Sequence, residues 1–149
     1  MSEMINFKRD FVDRSIKVLN KYFENEEYEV TLLLNCLLAL VTLPIENKKD
    51  IEDKDVNEFK RKCVNKLKEL KNDMFYRKMD YKTIFRNIRN SIAHLNIKEK
   101  SNKGKIESIT LWNVNKNGKI NFKVNISVEN LKLFAEYVAK EYINSFWDS

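Results

Sequence analysis

Between Tyr81 and Lys98, in the stretch YKTIFRNIRNSIAHLNIK, the residues Tyr81, Ile84, Phe85, Ile88, Ile92 and Leu95 recur at the spacing of one helix face. Lys82, Arg86, Arg89, Asn90, Ala93 and His94 fall on the other side. This period predicts an amphipathic helix that turns one stripe to a core. Ile5–Phe23 repeats the pattern with Phe11, Val12, Ile16 and Leu19. Asp55–Asn72 repeats it with Val56, Phe59, Cys63, Val64, Leu67 and Leu70, and Asp55 suits its N-cap. Tyr28–Leu43 is apolar nearly all round, which predicts a central helix ended by Pro44. Asn35 interrupts it, either as a satisfied polar group in the core or as a side chain reaching a polar cleft.

The period then changes. Ile120, Phe122, Val124, Ile126 and Val128 alternate with Asn121, Lys123, Asn125 and Ser127, the signature of a half-buried strand. Ile106–Val114 is its expected partner, with Asn117-Gly118 as the tight-turn dipeptide. A lone hairpin is marginally stable, so its apolar face should lie on the helices. Asp73–Asp80 reads as a connection packed through Met74, Phe75 and Tyr76, and Ser101–Lys105 as a polar turn. A last helix begins at Ser127 or Asn130 and carries Leu131, Leu133, Phe134, Tyr137, Val138, Tyr142, Ile143 and Phe146. The expected fold class is mainly α: a single domain over 1–149, a helical bundle of about five helices with a β-hairpin before the last helix.

Composition sharpens this picture in three places. Two glycines and one proline in 149 residues favour long helices with short connections. The net charge of +6 is unevenly spread: residues 60–89 hold eleven Lys or Arg against Glu69, Asp73 and Asp80, a net +8, leaving −2 for the rest. A basic stripe of this kind suits a phosphate-backbone partner, or simply solvates helix faces. Cys36 and Cys63 form no CxxC, and with one histidine there is no zinc-ligand set, so no metal or cofactor is expected. The charged N-terminus and the interrupted run Val30–Ile45 predict a cytoplasmic protein with no membrane segment.

The remaining chemistry lies in R-N-S-I-A-H, Arg89 to His94. A guanidinium fork holds two phosphate oxygens, and an imidazole, which titrates near neutrality, takes a proton from a 2′-hydroxyl or returns one to a leaving 5′-oxygen. Asn90, one turn before His94, is placed to orient the imidazole or a phosphate. Arg89 and His94, however, are separated by about 140° around a helix.

The R-N-x3-H element near the end of a penultimate bundle helix resembles the HEPN superfamily, whose active members share R-x4-6-H with a polar residue after the Arg. EVTLLLNCLLALVTLP, then RNSIAHLNI, then a hairpin bearing IxLWN is similar to a plasmid-borne, defence-associated branch. The resemblance covers nearly the whole chain. It implies an α-helical bundle, a homodimer and metal-independent endoribonuclease activity leaving 2′,3′-cyclic phosphate and 5′-hydroxyl ends; the function expected is a toxin or phage-defence effector, with a cognate antitoxin or other regulatory protein as a candidate partner. Arg89, Asn90 and His94 are the catalytic residues it carries over, and Tyr28 and Glu29 approach the cleft on the same ground. A subgroup whose tyrosine is nucleotidylated has R-x4-H-x-Y; Asn96 stands at that position here.

If two copies of the helix face each other across a two-fold axis, Arg89 of one approaches His94 of the other, and the small Ala93 permits the contact. Arg86, Lys82 and Lys98 are the candidate RNA-binding residues, or helix-solvating charges. Lys98, Lys100, Lys103 and Lys105 form a second basic cluster. Trp112 either stacks on a base or packs on the bundle. The alternatives to a nuclease are a non-catalytic RNA-binding module and a helical module that binds an acidic protein.

Overall fold

The computed structural model describes residues 53–146 continuously, together with residues 17, 30, 33–35, 37 and 38. Within the continuous stretch run helix α1 (Asp53–Leu70), strand β1 (Asp73–Tyr76), helix α2 (Tyr81–Ala93), strands β2 (Ile97–Asn102), β3 (Lys105–Val114) and β4 (Ile120–Ser127), and helix α3 (Val128–Phe146). The architecture is therefore α+β and not a helical bundle with one hairpin. The expected hairpin is the middle of a four-stranded antiparallel sheet of order β1-β4-β3-β2. Two segments expected as connections, around Asp73 and Ser101, supply strand residues at its edges.

The sheet has an inner and an outer face because side chains alternate along each strand. Ile109, Leu111, Phe122, Val124 and Ile126 are buried on the inner face, with Ile109 opposite Ile126 and Leu111 opposite Val124. Helices cover that face and carry the stripes their period predicts. Phe59, Cys63, Val64 and Leu67 of α1, Ile84, Phe85, Ile88 and Ile92 of α2, and Leu131, Phe134, Val138 and Tyr142 of α3 join one core with the sheet. The ring of Phe59 meets Phe85 at 5.9 Å and Tyr142 at 6.2 Å, both edge to face, so one side chain joins all three helices. Leu33 and Leu37 enter the same core, while Asn35 of that helical stretch is exposed. Lys17 is helical and exposed. The rest of the expected helix Ile5–Phe23 lies outside the described residues, as do Tyr28, Glu29, Cys36 and Pro44.

Turns depart from the sequence reading for local reasons. Lys103 and Gly104 both have positive φ (54° and 79°), the two-residue turn that matches strand twist, and they join β2 to β3. At Asn117-Gly118 only Gly118 has positive φ, so the dipeptide does not form that turn. Gly118 N–H instead donates to the Asn115 carbonyl at 3.0 Å and Asn115 N–H to Lys119 at 2.8 Å, a wider loop. The Asn115 side chain accepts from the amides of Asn117 and Lys119, both at 3.0 Å. Ser127 caps α3 by accepting from Asn130 N–H at 3.1 Å. Helix α1 starts at Asp53, so Asp55 falls in its first turn and is not the cap.

The main correction concerns α2, which stops at Ala93 and does not reach Lys98. Leu95 N–H donates to Ile92 at 3.1 Å and Asn96 N–H to Ser91 at 2.8 Å. Those two bonds close the helix in a Schellman motif, with Leu95 at the left-handed position (φ 57°) where glycine is usual. Leu95 is consequently off the core stripe and 77% exposed. Asn96 and Ile97 then leave in the direction of β2.

Two predictions follow from these ends. A left-handed leucine costs about 1–2 kcal/mol and an exposed one loses no packing when removed. Leu95→Gly should thus raise unfolding free energy by up to about 1 kcal/mol in denaturant melts, after the extra freedom glycine gives the unfolded chain; a destabilised variant would contradict this helix end. At the other end of α2, Asp80 Oδ1 accepts from Thr83 N–H at 3.0 Å. That bond, with Lys82 and Arg86 nearby, holds the carboxyl below its ordinary 3.8. A depressed carboxylate stabilises the fold above its unfolded pKa and stops doing so as pH falls through the folded one. Asp80→Ala should melt at lower temperature than the unmodified protein at pH 7, with the gap closing below pH 3.8.

Candidate active site

Helix α2 is a two-sided element. Its buried side presents Ile84, Phe85, Ile88 and Ile92 to the core, together with two polar residues, Asn87 and Ser91. Ser91 Oγ donates within the helix to the carbonyls of Asn87 and Ile88, both 2.8 Å away, and Asn87 Nδ2 lies 3.3 Å from the sulfur of Met79. These two satisfy themselves locally and leave the outer side to the candidate residues. Arg89 and Asn90 are half-buried there, and Arg86, Lys82, Ala93 and His94 are exposed.

The structure separates the candidate residues into two neighbourhoods. Arg89, Arg86 and Lys82 line one hollow of about 320 Å³, whose wall includes Lys60 of α1, with Asp80 and Phe85. Four cations and one carboxylate give it a net positive charge, and Asp80 is already committed to the Thr83 amide. An anion with several oxygens is the ligand this chemistry accommodates.

His94 occupies the opposite end of the helix. It is the C-cap, its backbone N–H donating to the Asn90 carbonyl at 2.9 Å, so the last turn of the helix holds the backbone that carries the imidazole. Beside it opens a groove of about 680 Å³ lined by Asn35, Leu38, Ala93, Leu95, Ile97 and Lys98, among others. Asn35 thus faces this groove and not the core. Five residues of helix place His94 about 7.5 Å further along the axis than Arg89 and about 140° round from it. Within one chain, therefore, Arg89 lines its hollow while His94 sits at the helix end and does not line it.

Lys98 is exposed at the start of β2 and belongs with His94's end, apart from Arg86 and Lys82. Cys63 is buried at the α1 interface, where burial pushes its thiol far up and suits a packing role. Among the described residues no three His, Cys, Asp or Glu side chains come together as a metal site. No described helix is long and apolar enough to cross a membrane. Sequence reasoning missed Lys60 as part of the Arg89 wall. Its signal was the basic face of α1, but only the packing of α1 on α2 reveals which lysine lies opposite the arginine.

No curated protein and no solved structure matches the chain. A family model described as HEPN pEK499 p136 does, over residues 1–148. HEPN domains are often ribonucleases, and they commonly bind RNA and form dimers. With a match spanning that length and an R-N-x3-H element on the exposed side of α2, the chain belongs to the HEPN pEK499 p136 family.

Proposed function

We propose that this protein is a metal-independent endoribonuclease acting in the cytoplasm as a toxin or phage-defence effector, with a cognate antitoxin or other regulatory protein as its control. The observation that carries the reading is the display of R-N-x3-H outside the core, with Arg89 in a hollow of net positive charge, in a chain of a family whose members are often ribonucleases. None of the three side chains is needed to fill the core, so their chemistry is free for a substrate.

In this mechanism Arg89 binds the scissile phosphate and balances the charge that grows on its oxygens. His94 as general base takes the 2′-hydroxyl proton. The 2′-oxygen then attacks phosphorus, and the bond to the 5′-oxygen breaks as a protonated imidazole supplies its proton. The products are a 2′,3′-cyclic phosphate and a 5′-hydroxyl. Asn90 orients the His94 end of the helix, and Arg86, Lys82 and Lys98 hold flanking phosphates. A homodimer resolves the separation within one chain, because a two-fold axis near Ala93 brings Arg89 of one protomer beside the partner's His94 and supplies two imidazoles to one site.

A second reading, a non-catalytic RNA-binding module, draws on that same separation of Arg89 from His94. It predicts RNA affinity that falls steeply with salt and no products.

The test is cleavage of total RNA with EDTA present. Arg89→Ala and His94→Ala should each reduce cleavage by about 10²–10⁴, the usual contribution of such groups, with melting temperature unchanged. An inactive His94→Ala protein that also fails to fold would assign His94 a structural role. A wild-type protein that is monomeric at full activity would exclude the composite site.

A further inference from the structure

The outer face of the sheet is the surface that the R-N-x3-H chemistry leaves unused. Trp112 points there, since its neighbour Leu111 is buried on the inner face. Trp112 stands opposite Lys123, and Lys123 opposite Phe75, so one row across three strands reads aromatic, cation, aromatic. Phe75 is 43% exposed, with the Arg77 guanidinium 5.8 Å from its ring centre. The next row carries Lys98, Thr110, Asn125 and Asp73. Its floor is fixed: Asn125 Nδ2 donates to Thr110 Oγ1 at 2.9 Å and Asn72 Nδ2 to Asn125 Oδ1 at 2.8 Å. Lys98, Lys100, Trp112 and Lys123 border a hollow of about 520 Å³ on this face, with Glu99 as the acidic residue of its lining.

Flat aromatic rings set among cations on a rigid sheet match one partner better than others. Single-stranded RNA offers unstacked bases to the rings and phosphates to the lysines, whereas a duplex hides its bases. An acidic peptide would use the lysines and leave the rings unexplained. The location adds a second reason. Lys98 and Glu99 border both this hollow and the groove beside Ala93 and Leu95, so edge strand β2 is a wall the two share. We propose that single-stranded RNA lies across the outer sheet face, stacks a base on Trp112, and passes over β2 at Lys98 toward His94. The direction of the strand rests on the nuclease reading above; the binding surface itself does not.

The experiment measures anisotropy of a labelled 2′-O-methyl oligouridylate, which the proposed reaction cannot cleave, against a duplex of the same backbone. The wild-type protein should prefer the single strand. Trp112→Ala should weaken that binding by about 5- to 150-fold, the loss expected for one base–aromatic stack, and Trp112→Phe should restore most of it. Lys123→Ala should weaken both ligands and lower the salt dependence. Equal binding of single strand and duplex, displacement by polyglutamate as effective as by oligouridylate, or Trp112→Ala binding as tightly as wild type would each overturn the proposal. His94→Ala separates the two readings. Trp112-dependent binding without any cleavage by wild type would remove the nuclease and keep the surface; His94-dependent cleavage with binding indifferent to Trp112 would do the reverse.

Discussion

The turn His94–Leu95–Asn96 is the constraint on which the placement of everything around it depends. Two backbone hydrogen bonds, Leu95 to Ile92 and Asn96 to Ser91, stop α2 at Ala93, before the last apolar position of its pattern, Leu95. They do so with a leucine in a conformation that favours glycine. Had the helix continued, Leu95 would fill the core stripe, and the strand from Ile97 would have no room to form. Instead the helix ends with the imidazole at its tip and the chain enters the sheet within three residues. The same turn thus sets His94 beside the edge strand that carries Lys98.

That arrangement places charge where the core does not need it. Phe59, Phe85 and Tyr142 hold the three helices together, and the inner sheet face supplies the rest of the apolar contact. Cations are therefore confined to surfaces: Lys60, Lys82, Arg86 and Arg89 around one hollow, and Lys98, Lys100 and Lys123 across the outer face. Removing the exposed ones, Lys82, Arg86, Lys98, Lys100 and Lys123, costs the fold little, since exposed charges contribute little to stability. Their arrangement is better explained by a polyanion than by folding.

The helix faces were legible from period alone because burial follows the period: Ile84, Phe85, Ile88 and Ile92 are inward, as are Val56, Phe59, Val64 and Leu67. The central strands were legible for the same reason, β4 burying Phe122, Val124 and Ile126 in alternation. The edge strands were not. β1 is four residues long, and β2, reading IKEKSN, buries almost nothing; its lysines suit a protected edge and equally suit a helix or turn. Their pairing is a tertiary fact, decided by β4 and β3. Leu95 misled because it fits the helical wheel and no glycine or proline announces the stop. In the candidate site, the residue types of Arg89, Asn90 and His94 were readable, but the hollow around Arg89 depends on α1 and the position of His94 on the turn into β2. Trp112 lay between two readings, and the register with Lys123 turns it outward.

The most direct test of the chemistry offers the protein an oligodeoxynucleotide that contains a single ribonucleotide. The mechanism needs one 2′-hydroxyl and nothing else from the sugar, so cleavage should occur only on the 3′ side of that ribose, leaving a 2′,3′-cyclic phosphate. Cutting at any deoxynucleotide, or a product bearing a 5′-phosphate, would contradict it.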